Sequence, residues 1–348
     1  MIADAIPPLD EDVRRQAAER QARLTKPAGS LGRLEDLSIR VAAMTGRLDP
    51  PLVHAVVFVM AADHGVVAEG VSAYPAAVTA QMVLNFARAG AAINVLAHVL
   101  GARVLVADVG VDADLPAQPG VRALKVRRGT ANITRGPAMS VEEARQAIDT
   151  GRRLVREEAP AIAITGDMGI GNTTASAALI CALTGLDPVA VVGRGTGVDD
   201  AGLERKRDAV RRALDVNREA IARGPLDALA AVGGLEIAAL AGVILETARS
   251  RKPVIIDGFI SGAAALVANA MEPRAAGYMI ASHRSQELGH AEVLGRLGLQ
   301  PLLDLDLRLG EGTGGVLALP LVRAAMRLLN DMATFEDAGV SGRVEGAP

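Results

Sequence analysis

The stretch HAVVFVMAADHG, residues 54–65, decides the fold, because an unbroken apolar run ends abruptly in Asp, His and Gly. Such a run, bounded by a turn, is typical of a strand that is buried on both faces of a sheet. Similar runs rich in Val and Ile recur along the chain, each followed by a turn with Gly or Asp: residues 54–62, 103–109, 161–165, 189–192, 253–256 and 278–281.

Helical patterns lie between these apolar runs. One example is Val141 to Glu158, where Ser140 and Glu143 have the spacing of a capping box. Strands that alternate with helices predict an α/β fold with three layers, α/β/α, and a mostly parallel sheet of about six strands.

Both ends of the chain lie outside this alternation and have helical patterns. We predict helices from Asp10 to Leu24, with Asp10 as the N-cap, from Ser30 to about Thr45, and from Val316 to Phe335. These helices are expected to form a small helical subdomain built from both termini. The predicted division is residues 1–50 for its N-terminal part, 51–302 for an α/β nucleotide-binding domain, and 303–348 for a catalytic loop and C-terminal helix.

Composition excludes several classes of partner. The chain has 348 residues, a net charge of −3 and a pI near 6.0, so no basic patch for nucleic acid is indicated. Four Phe, two Tyr and no Trp leave few rings for stacking bases. The single cysteine, Cys181, cannot form an internal disulfide, and the first residues lack the pattern of a secretory signal. We therefore expect a cytoplasmic protein with no nucleic-acid or membrane partner.

Glu311 is the candidate catalytic residue. It lies between glycines in LDLDLRLGEGTG, residues 303–314. Flanking glycines allow a sharp turn and a close ligand, and a carboxylate in an apolar environment can accept a proton near neutral pH. The alternative is a loop before a helix in which Glu311 is solvated or interacts with the N-terminus of that helix.

Two glycine-rich loops are candidate phosphate or ribose sites. GDMGIGNTT, residues 166–174, has the glycine spacing of a P-loop, but Asn172 stands where that motif has lysine, so a monophosphate fits better than a triphosphate. An ordinary tight turn is the alternative. GRGTGVDD, residues 193–200, does not match a dinucleotide fingerprint, although Arg194 is available for charge. Lys206 follows on the next helix and either reaches this site or is solvated.

The histidines do not predict a metal site. His283 and His290 are seven residues apart, and no HxxxH motif or Cys pair accompanies them, while His64 follows Asp63 and has either a functional or a structural role. Two classes of function fit these residues. One is a transferase that acts on a small nucleotide monophosphate with Glu311 as base, and the other is a nucleotide-binding regulator or P-loop-like NTPase, against which Asn172 argues.

Taken together, nine motifs in order resemble one family, the nicotinate-nucleotide:dimethylbenzimidazole phosphoribosyltransferases. The resemblance runs from Lys26 to the C-terminal helix through KPAGSLGRLE (26–35), ADHGV (62–66), EGVSAYP (69–75), VTAQMVLNF (78–86), GDMGIGNTT (166–174), GRGTGVDDAGLERK (193–206), DGFI (257–260), SHRSQELGH (282–290) and LDLDLRLGEGTG (303–314).

This resemblance implies a specific reaction and assembly. The phosphoribosyl group of nicotinate mononucleotide would pass to dimethylbenzimidazole, with inversion at the anomeric carbon, release of nicotinate and formation of alpha-ribazole phosphate for the lower ligand of cobalamin. No cofactor and no metal are expected, and the protein would be a homodimer.

The resemblance also assigns residues to roles. Glu311 matches the catalytic base, and the base pocket matches Ser72, Tyr74 and Gln81, closed by Leu309. The phosphate and ribose would contact residues of the two glycine-rich loops and the helix that follows, namely Asp167, Gly169, Ile170, Gly171, Asn172, Thr173, Gly193, Arg194, Gly195, Thr196, Gly197 and Lys206.

Overall fold

The computed structural model describes residues 5–195 and 197–341. Its centre is a six-stranded sheet in which every neighbouring pair of strands is parallel. The strands are β1 (Ala55–Ala62), β2 (Arg103–Gly110), β3 (Val121–Ala123), β4 (Ile162–Met168), β5 (Val254–Ile256) and β6 (Met279–Ala281). The predicted three-layer α/β fold with a parallel sheet is confirmed.

Helices connect and cover the strands. They are α1 (Glu11–Arg23), α2 (Arg33–Thr45), α3 (Ala77–Ala87), α4 (Ala92–Leu100), α5 (Val141–Glu158), α6 (Asn172–Thr184), α7 (Pro188–Val191), α8 (Asp200–Val216), α9 (Arg218–Ile221), α10 (Pro225–Val232), α11 (Leu235–Arg249), α12 (Phe259–Met271), α13 (His290–Arg296) and α14 (Thr313–Asp331). Short 3₁₀ helices cover Gly65–Glu69 and Pro273–Tyr278.

Strand order places the candidate site. The sheet has the order β3-β2-β1-β4-β5-β6, so the chain builds outward in one direction from β1 and in the other from β4. All eight residues of β1 are buried, as its continuous apolar sequence predicts, and Met60 is in register with Asp167 of β4. In sheets of this type, ligands bind beyond the carboxyl ends of the strands where the order reverses. Here that point lies between β1 and β4.

One predicted strand is wrong and one strand was missed. Residues 189–191 lie in helix α7 and Val192 is its C-cap, because Asp187 caps the first turn by accepting the Val189 N–H at 2.7 Å and Pro188 occupies the first helical position. A four-residue apolar run does not distinguish a strand from a helix. Strand β3 has only three residues, none of them buried, and therefore has no apolar run to reveal it.

The terminal helices pack together and also against the sheet. Arg20 of α1 donates hydrogen bonds to the carbonyls of Leu329, at 2.6 Å, and Asn330, at 2.9 Å, while α14 packs against α2, α4, β4 and β5. The predicted helix from Val316 begins three residues earlier, at Thr313, so Gly314 and Gly315 lie in its first turn. The three-part division of the chain stays a prediction.

The segment Ala77–Leu100 is long and apolar enough, by length and composition only, to cross a membrane. It is divided into α3 and α4 by a break at residues 88–91, where Ala89 has a φ of 57°. Each part is shorter than the roughly 20 residues that span a bilayer. The break matters for the site, because it leaves the N-terminus of α4 pointing at Glu311, whose carboxylate accepts the Ile93 N–H at 3.2 Å.

Candidate active site

A cavity of about 350 Å³ lies at the carboxyl edge of the sheet. Its wall combines the glycine-rich loop after β4, the segment before α14, part of α3 and the loops that follow β5 and β6. It is lined by Tyr74, Val78, Met82, Asp167, Met168, Gly169, Ile170, Asn172, Thr173, Gly195, Gly258, Phe259, Ile260, His283, Ser285, Glu287, Arg308, Leu309, Gly310 and Glu311. The cavity thus brings the first candidate loop, Gly195 of the second loop and the candidate base to one place.

Glu311 lies on the wall of this cavity and is only 6% exposed. Burial raises the pKa of its carboxyl group, and the hydrogen bond from the Ile93 N–H partly opposes that rise. The alternative in which Glu311 is solvated is therefore wrong, and the helix N-terminus that it contacts is that of α4. A buried carboxylate with a raised pKa, beside a cavity, has the properties of a proton acceptor.

The turn that carries Glu311 has an unusual backbone. Gly310, Glu311 and Gly312 have φ values of 87°, 62° and 91°, so a residue with a side chain adopts the left-handed conformation between two glycines. A Cβ atom on Gly166 of β4 would lie 2.5 Å from the Glu311 carbonyl oxygen. The glycine in the strand therefore allows the turn to lie directly on the sheet.

Two hydrogen bonds fix the conformation of the loop after β4, one to helix α3 and one between residues at the two ends of the loop. Thr79 Oγ1 accepts the Ile170 N–H at 3.0 Å, and Asn172 Nδ2 donates to Asp167 Oδ2 at 2.9 Å. Asp167 is buried, and its pKa is raised well above the usual value by burial and by the charges of Asp257, Glu236 and Glu311. The Ile170 N–H is thus already used by the protein, and the loop presents the side chain of Thr173 to the cavity.

Lys206 reaches the same place from α8. Its side chain is 1% exposed, and Nζ donates to Thr173 Oγ1 at 3.1 Å, so the alternative in which it is solvated is wrong. Burial lowers its pKa to about 8, against the opposing effect of the Glu287 carboxylate. A Cβ on Gly195 would lie 2.8 Å from this ammonium group. Thr173 and Gly195 line the cavity, and Lys206 lies directly behind them without lining it. The three residues form a corner with one positive charge, and the Glu287 carboxylate, which lines the cavity, lies near that charge.

The other residues of the second glycine-rich loop face elsewhere. Gly193, Arg194 and Gly197 line a neighbouring cavity of about 430 Å³, and Gly195 lines both. Arg194 donates to the Val198 carbonyl at 3.0 Å and pairs with Asp200, so its charge is used locally. This loop follows helix α7 and not a strand, which changes its direction. Thr196 lies outside the described residues.

The predicted base pocket is partly assembled. Tyr74 and Leu309 line the cavity and are 52% and 58% exposed, so they lie at its mouth. Ser72 and Gln81 are not among the lining residues; Ser72 Oγ accepts the Tyr74 N–H at 3.1 Å, and Gln81 is exposed on α3. Gly171, at the N-cap of α6, is also absent from the wall.

Sequence reasoning missed several lining residues. Helix α3 contributes Val78 and Met82, and the start of α12 contributes Phe259 and Ile260, so the wall of the cavity includes several apolar side chains. The polar residues that were missed are His283, Ser285, Glu287 and Arg308. The sequence contained a signal for these residues. His283, Ser285 and Glu287 belong to the motif SHRSQELGH, and Arg308 lies three residues before Glu311.

His64 packs against Gly169 and Gly171 of the loop after β4 but does not line the cavity. Its Nε2 atom is 2.7 Å from Glu236 Oε1, and both side chains are buried. Burial lowers the pKa of the imidazole, but Glu236 and the charge of Asp63 together more than offset this effect, so the pKa is raised. Within residues 5–195 and 197–341, no three His, Cys, Asp or Glu side chains are grouped as ligands for a metal ion.

Comparison with known proteins identifies the family of this chain. Residues 6–340 match a family described as Phosphoribosyltransferase. A nicotinate-nucleotide–dimethylbenzimidazole phosphoribosyltransferase from Chloroflexus aggregans is 57% identical over 98% of this chain and 97% of its own, and one from Thermus thermophilus is 55% identical over 96% and 99%. A crystal structure of the enzyme from Thermus thermophilus superposes with a TM-score of 0.90 at 52% identity, covering 96% of this chain and 100% of the other. The chain therefore belongs to the nicotinate-nucleotide–dimethylbenzimidazole phosphoribosyltransferase family of pentosyl-transferring enzymes.

Proposed function

We propose that this enzyme transfers the phosphoribosyl group of nicotinate mononucleotide to dimethylbenzimidazole. The products are nicotinate and alpha-ribazole phosphate, the precursor of the lower ligand of cobalamin. The names of the relatives support these substrates. The observation that carries the proposal is Glu311, a buried carboxylate with a raised pKa on the wall of the cavity.

The chemistry requires one proton acceptor. The glycosidic nitrogen of nicotinate mononucleotide is a pyridinium, so the bond electrons return to that nitrogen and nicotinate leaves without being protonated. One nitrogen of the neutral benzimidazole attacks the anomeric carbon, and the opposite N–H becomes acidic as the new bond forms. Glu311 accepts this proton as a general base and releases it to solvent after the product leaves.

Attack on the face opposite the leaving group inverts the anomeric carbon, so the beta nucleotide gives an alpha product. Glu311 and Asp167 both line the cavity, and any negative charge there favours a transition state with cationic character at the sugar. Binding the two substrates in line supplies much of the remaining acceleration, on the order of 7 kcal/mol or more in favourable cases. We therefore propose that neither a metal nor an organic cofactor takes part.

The cavity has separate regions for the charged and the aromatic substrate. The phosphate is assigned to the corner formed by Thr173, Gly195 and Lys206, because a buried ammonium beside a hydroxyl and a glycine suits a monophosphate. The benzimidazole is assigned to the part near Tyr74 and Leu309, whose ring and aliphatic side chain lie at the mouth.

We further propose that the enzyme works as a cytoplasmic homodimer without a nucleic-acid or membrane partner. Net charge and the scarcity of aromatic residues support the absence of nucleic acid. The subunit arrangement is testable by light scattering at micromolar concentration, where a mass of twice 35.8 kDa is expected.

The activity is tested by incubating the protein with nicotinate mononucleotide and dimethylbenzimidazole, followed by chromatography. We expect equal amounts of nicotinate and of a nucleotide whose anomeric proton coupling identifies the alpha configuration. Binding of nicotinate mononucleotide without product would instead indicate a nucleotide sensor, and a beta product would contradict direct displacement.

A further inference from the structure

Asp257 follows β5 and lies outside every role assigned above. It is 1% exposed, and its two carboxylate oxygens accept hydrogen bonds from the N-terminus of α14. Oδ2 accepts the Gly312 N–H at 3.1 Å and Oδ1 accepts the Gly315 N–H at 2.8 Å, while the Gly314 N–H also faces the carboxylate. The N-cap residue of α14 is Gly312, which has no side chain to cap the helix, so Asp257 supplies the cap from a different part of the chain.

The position of Asp257 is itself fixed by the sheet. Its N–H donates to Thr165 Oγ1 of β4 at 3.1 Å, and its carbonyl oxygen accepts from Ser282 Oγ, after β6, at 3.0 Å. Asp257 is thus held from both neighbouring strands. Through it, the N-terminus of α14 is tied to the same strand ends that form the floor of the cavity.

This connection bears on Glu311, which immediately precedes Gly312. Its backbone is left-handed, with a φ of 62°, a conformation that is unfavourable for a residue with a side chain and persists only where the surroundings enforce it. The hydrogen bond from Gly312 N to Asp257 holds the peptide that joins the two residues, and Gly166 allows the Glu311 carbonyl to lie against β4.

We propose that Asp257 is a positioning residue for catalysis: its carboxylate fixes the first turn of α14 and thereby holds Glu311 on the wall of the cavity. This inference rests on the proposed function, in which Glu311 accepts the proton. It assigns Asp257 no contact with either substrate.

The charges around Asp257 make its role dependent on pH. Burial raises its pKa to about 7, against the lowering effect of the three N–H groups, and Glu311 raises it further. Two other groups face Asp257. Asp167 has a pKa that is raised by burial and by the charge of Asp257. His283 has its Nδ1 atom 3.9 Å from Asp257 Oδ1, and burial lowers the pKa of its imidazole to about 4. Protonation of Asp257 removes an acceptor from the helix N-terminus, so the turn loosens as pH falls below neutrality.

The test is the Asp257→Asn variant, which keeps the size of the side chain but not the second acceptor. We expect kcat to fall by about 10–100-fold, because a displacement of the base by about 1 Å can have that effect. The Kd for nicotinate mononucleotide should change by less than about threefold, since the phosphate corner is not involved. The acid limb of the kcat profile should move to lower pH, because the group that titrates near neutrality is gone.

Asp10→Asn is the matched control. Asp10 caps α1 by accepting the Val13 N–H at 3.0 Å, so the same chemical change is made at a helix that does not line the cavity. Its kcat and pH profile should match the wild type. The ratio of variant to wild-type rates at each pH removes the titration of the benzimidazole itself, which is common to both.

An Asp257→Asn enzyme with wild-type kcat would overturn the inference. A lowered kcat with the acid limb of its pH profile unchanged would also overturn it, because a smaller fraction of folded protein has that effect. If the variant does not fold, the inference is tested on the wild type by NMR, by following the amide resonances of Gly312 and Gly315 as the pH is changed. They should shift with the same pH midpoint as kcat, and resonances that stay fixed while kcat falls would contradict the inference. Absence of product from the wild type would instead reject the proposed function.

Discussion

The ammonium group of Lys206 donates a hydrogen bond of 3.1 Å to Thr173 Oγ1 and so joins α8 to the first turn of α6. This bond uses one of the three protons of a buried ammonium group. It also places a positive charge at the start of the helix that follows the glycine-rich loop, although the sequence separates the two residues by 33 positions. A monophosphate at this corner would accept from both side chains.

Replacing Lys206 by Ala should weaken binding of nicotinate mononucleotide by about 10–100-fold, because a hydrogen bond to a charged group contributes roughly 1.5–3 kcal/mol. The change in kcat should be smaller, since the phosphate is remote from the reacting bond. Titration calorimetry measures the affinity. Lys252→Ala is the control, because Lys252 precedes β5 at the opposite edge of the sheet, and it should bind like the wild type. Equal affinity of the Lys206 variant would place the phosphate elsewhere.

The same interaction predicts a dependence on alkaline pH. Burial lowers the pKa of Lys206 from 10.5 to about 8, so the group is charged at pH 7 and loses its proton as pH rises through about 8. Affinity for nicotinate mononucleotide should therefore decline between about pH 7 and 9 in the wild type. The Lys206→Ala variant serves as the reference and should show no such decline. Parallel curves for the two proteins would mean that another group titrates.

Glu69 should stabilise the fold in a way that depends on acid pH. Its carboxylate accepts from Arg212 Nη2 at 2.8 Å and Asn132 Nδ2 at 2.6 Å, and the Arg212 bond is the main cause of a pKa lowered to about 2. A lowered pKa contributes stability above the ordinary value of 4.5, and this contribution is lost as pH falls toward 2.

Glu69→Gln should therefore lower the free energy of unfolding at pH 7 by about 1.5–3 kcal/mol. The deficit should shrink below about pH 4.5, and urea denaturation at several pH values measures it. Asp215→Asn is the control, because Asp215 forms an exposed pair with Arg218 three residues along the chain and should change stability little. A deficit that is constant with pH would show that the charge of Glu69 is not its cause.

The aromatic part of the cavity should tolerate unsubstituted benzimidazole. A methyl group in an apolar pocket discriminates by roughly 1–3 kcal/mol, so each methyl that is removed should lower kcat/KM by about 5–150-fold without abolishing turnover. Competition between the two bases in one reaction, with chromatography of both products, gives the ratio directly. Complete rejection of benzimidazole would indicate a polar contact that reads the substituted ring.

The sequence predicted the sheet well because its central strands are buried on both faces, and a continuous apolar run bounded by turns, such as residues 54–62, is typical of such strands. The three-residue strands β5 and β6 were also predicted, because they are buried and apolar. The prediction failed where a local helix start competes with an apolar run, or where a strand has no such run. Residues 189–191 of the run at 189–192 lie in helix α7, because Asp187 and Pro188 start a helix there, and this local effect outweighs the apolar pattern. Strand β3 has three residues and no apolar signal.

The position of Glu311 at the cavity was predictable, because the glycines that flank it in the sequence indicate a turn that a ligand can approach. Its surroundings were not, because they come from distant segments. The Ile93 N–H, the Thr79 hydroxyl and the Asp257 carboxylate act across sequence separations of 218, 91 and 55 residues. Gln81 was assigned to the base pocket from resemblance, yet α3 leaves it exposed while Val78 and Met82 line the cavity.

The central claim is that Glu311 accepts the proton, and the Glu311→Gln variant tests it most directly. Steady-state turnover and calorimetric binding of nicotinate mononucleotide should be measured on this variant beside Glu292→Gln, an exposed control on α13. The account predicts that Glu311→Gln lowers kcat by about 100–10,000-fold with nucleotide affinity within about threefold of the wild type, while Glu292→Gln is unchanged. A Glu311→Gln enzyme that turns over within about threefold of the wild type would contradict the account.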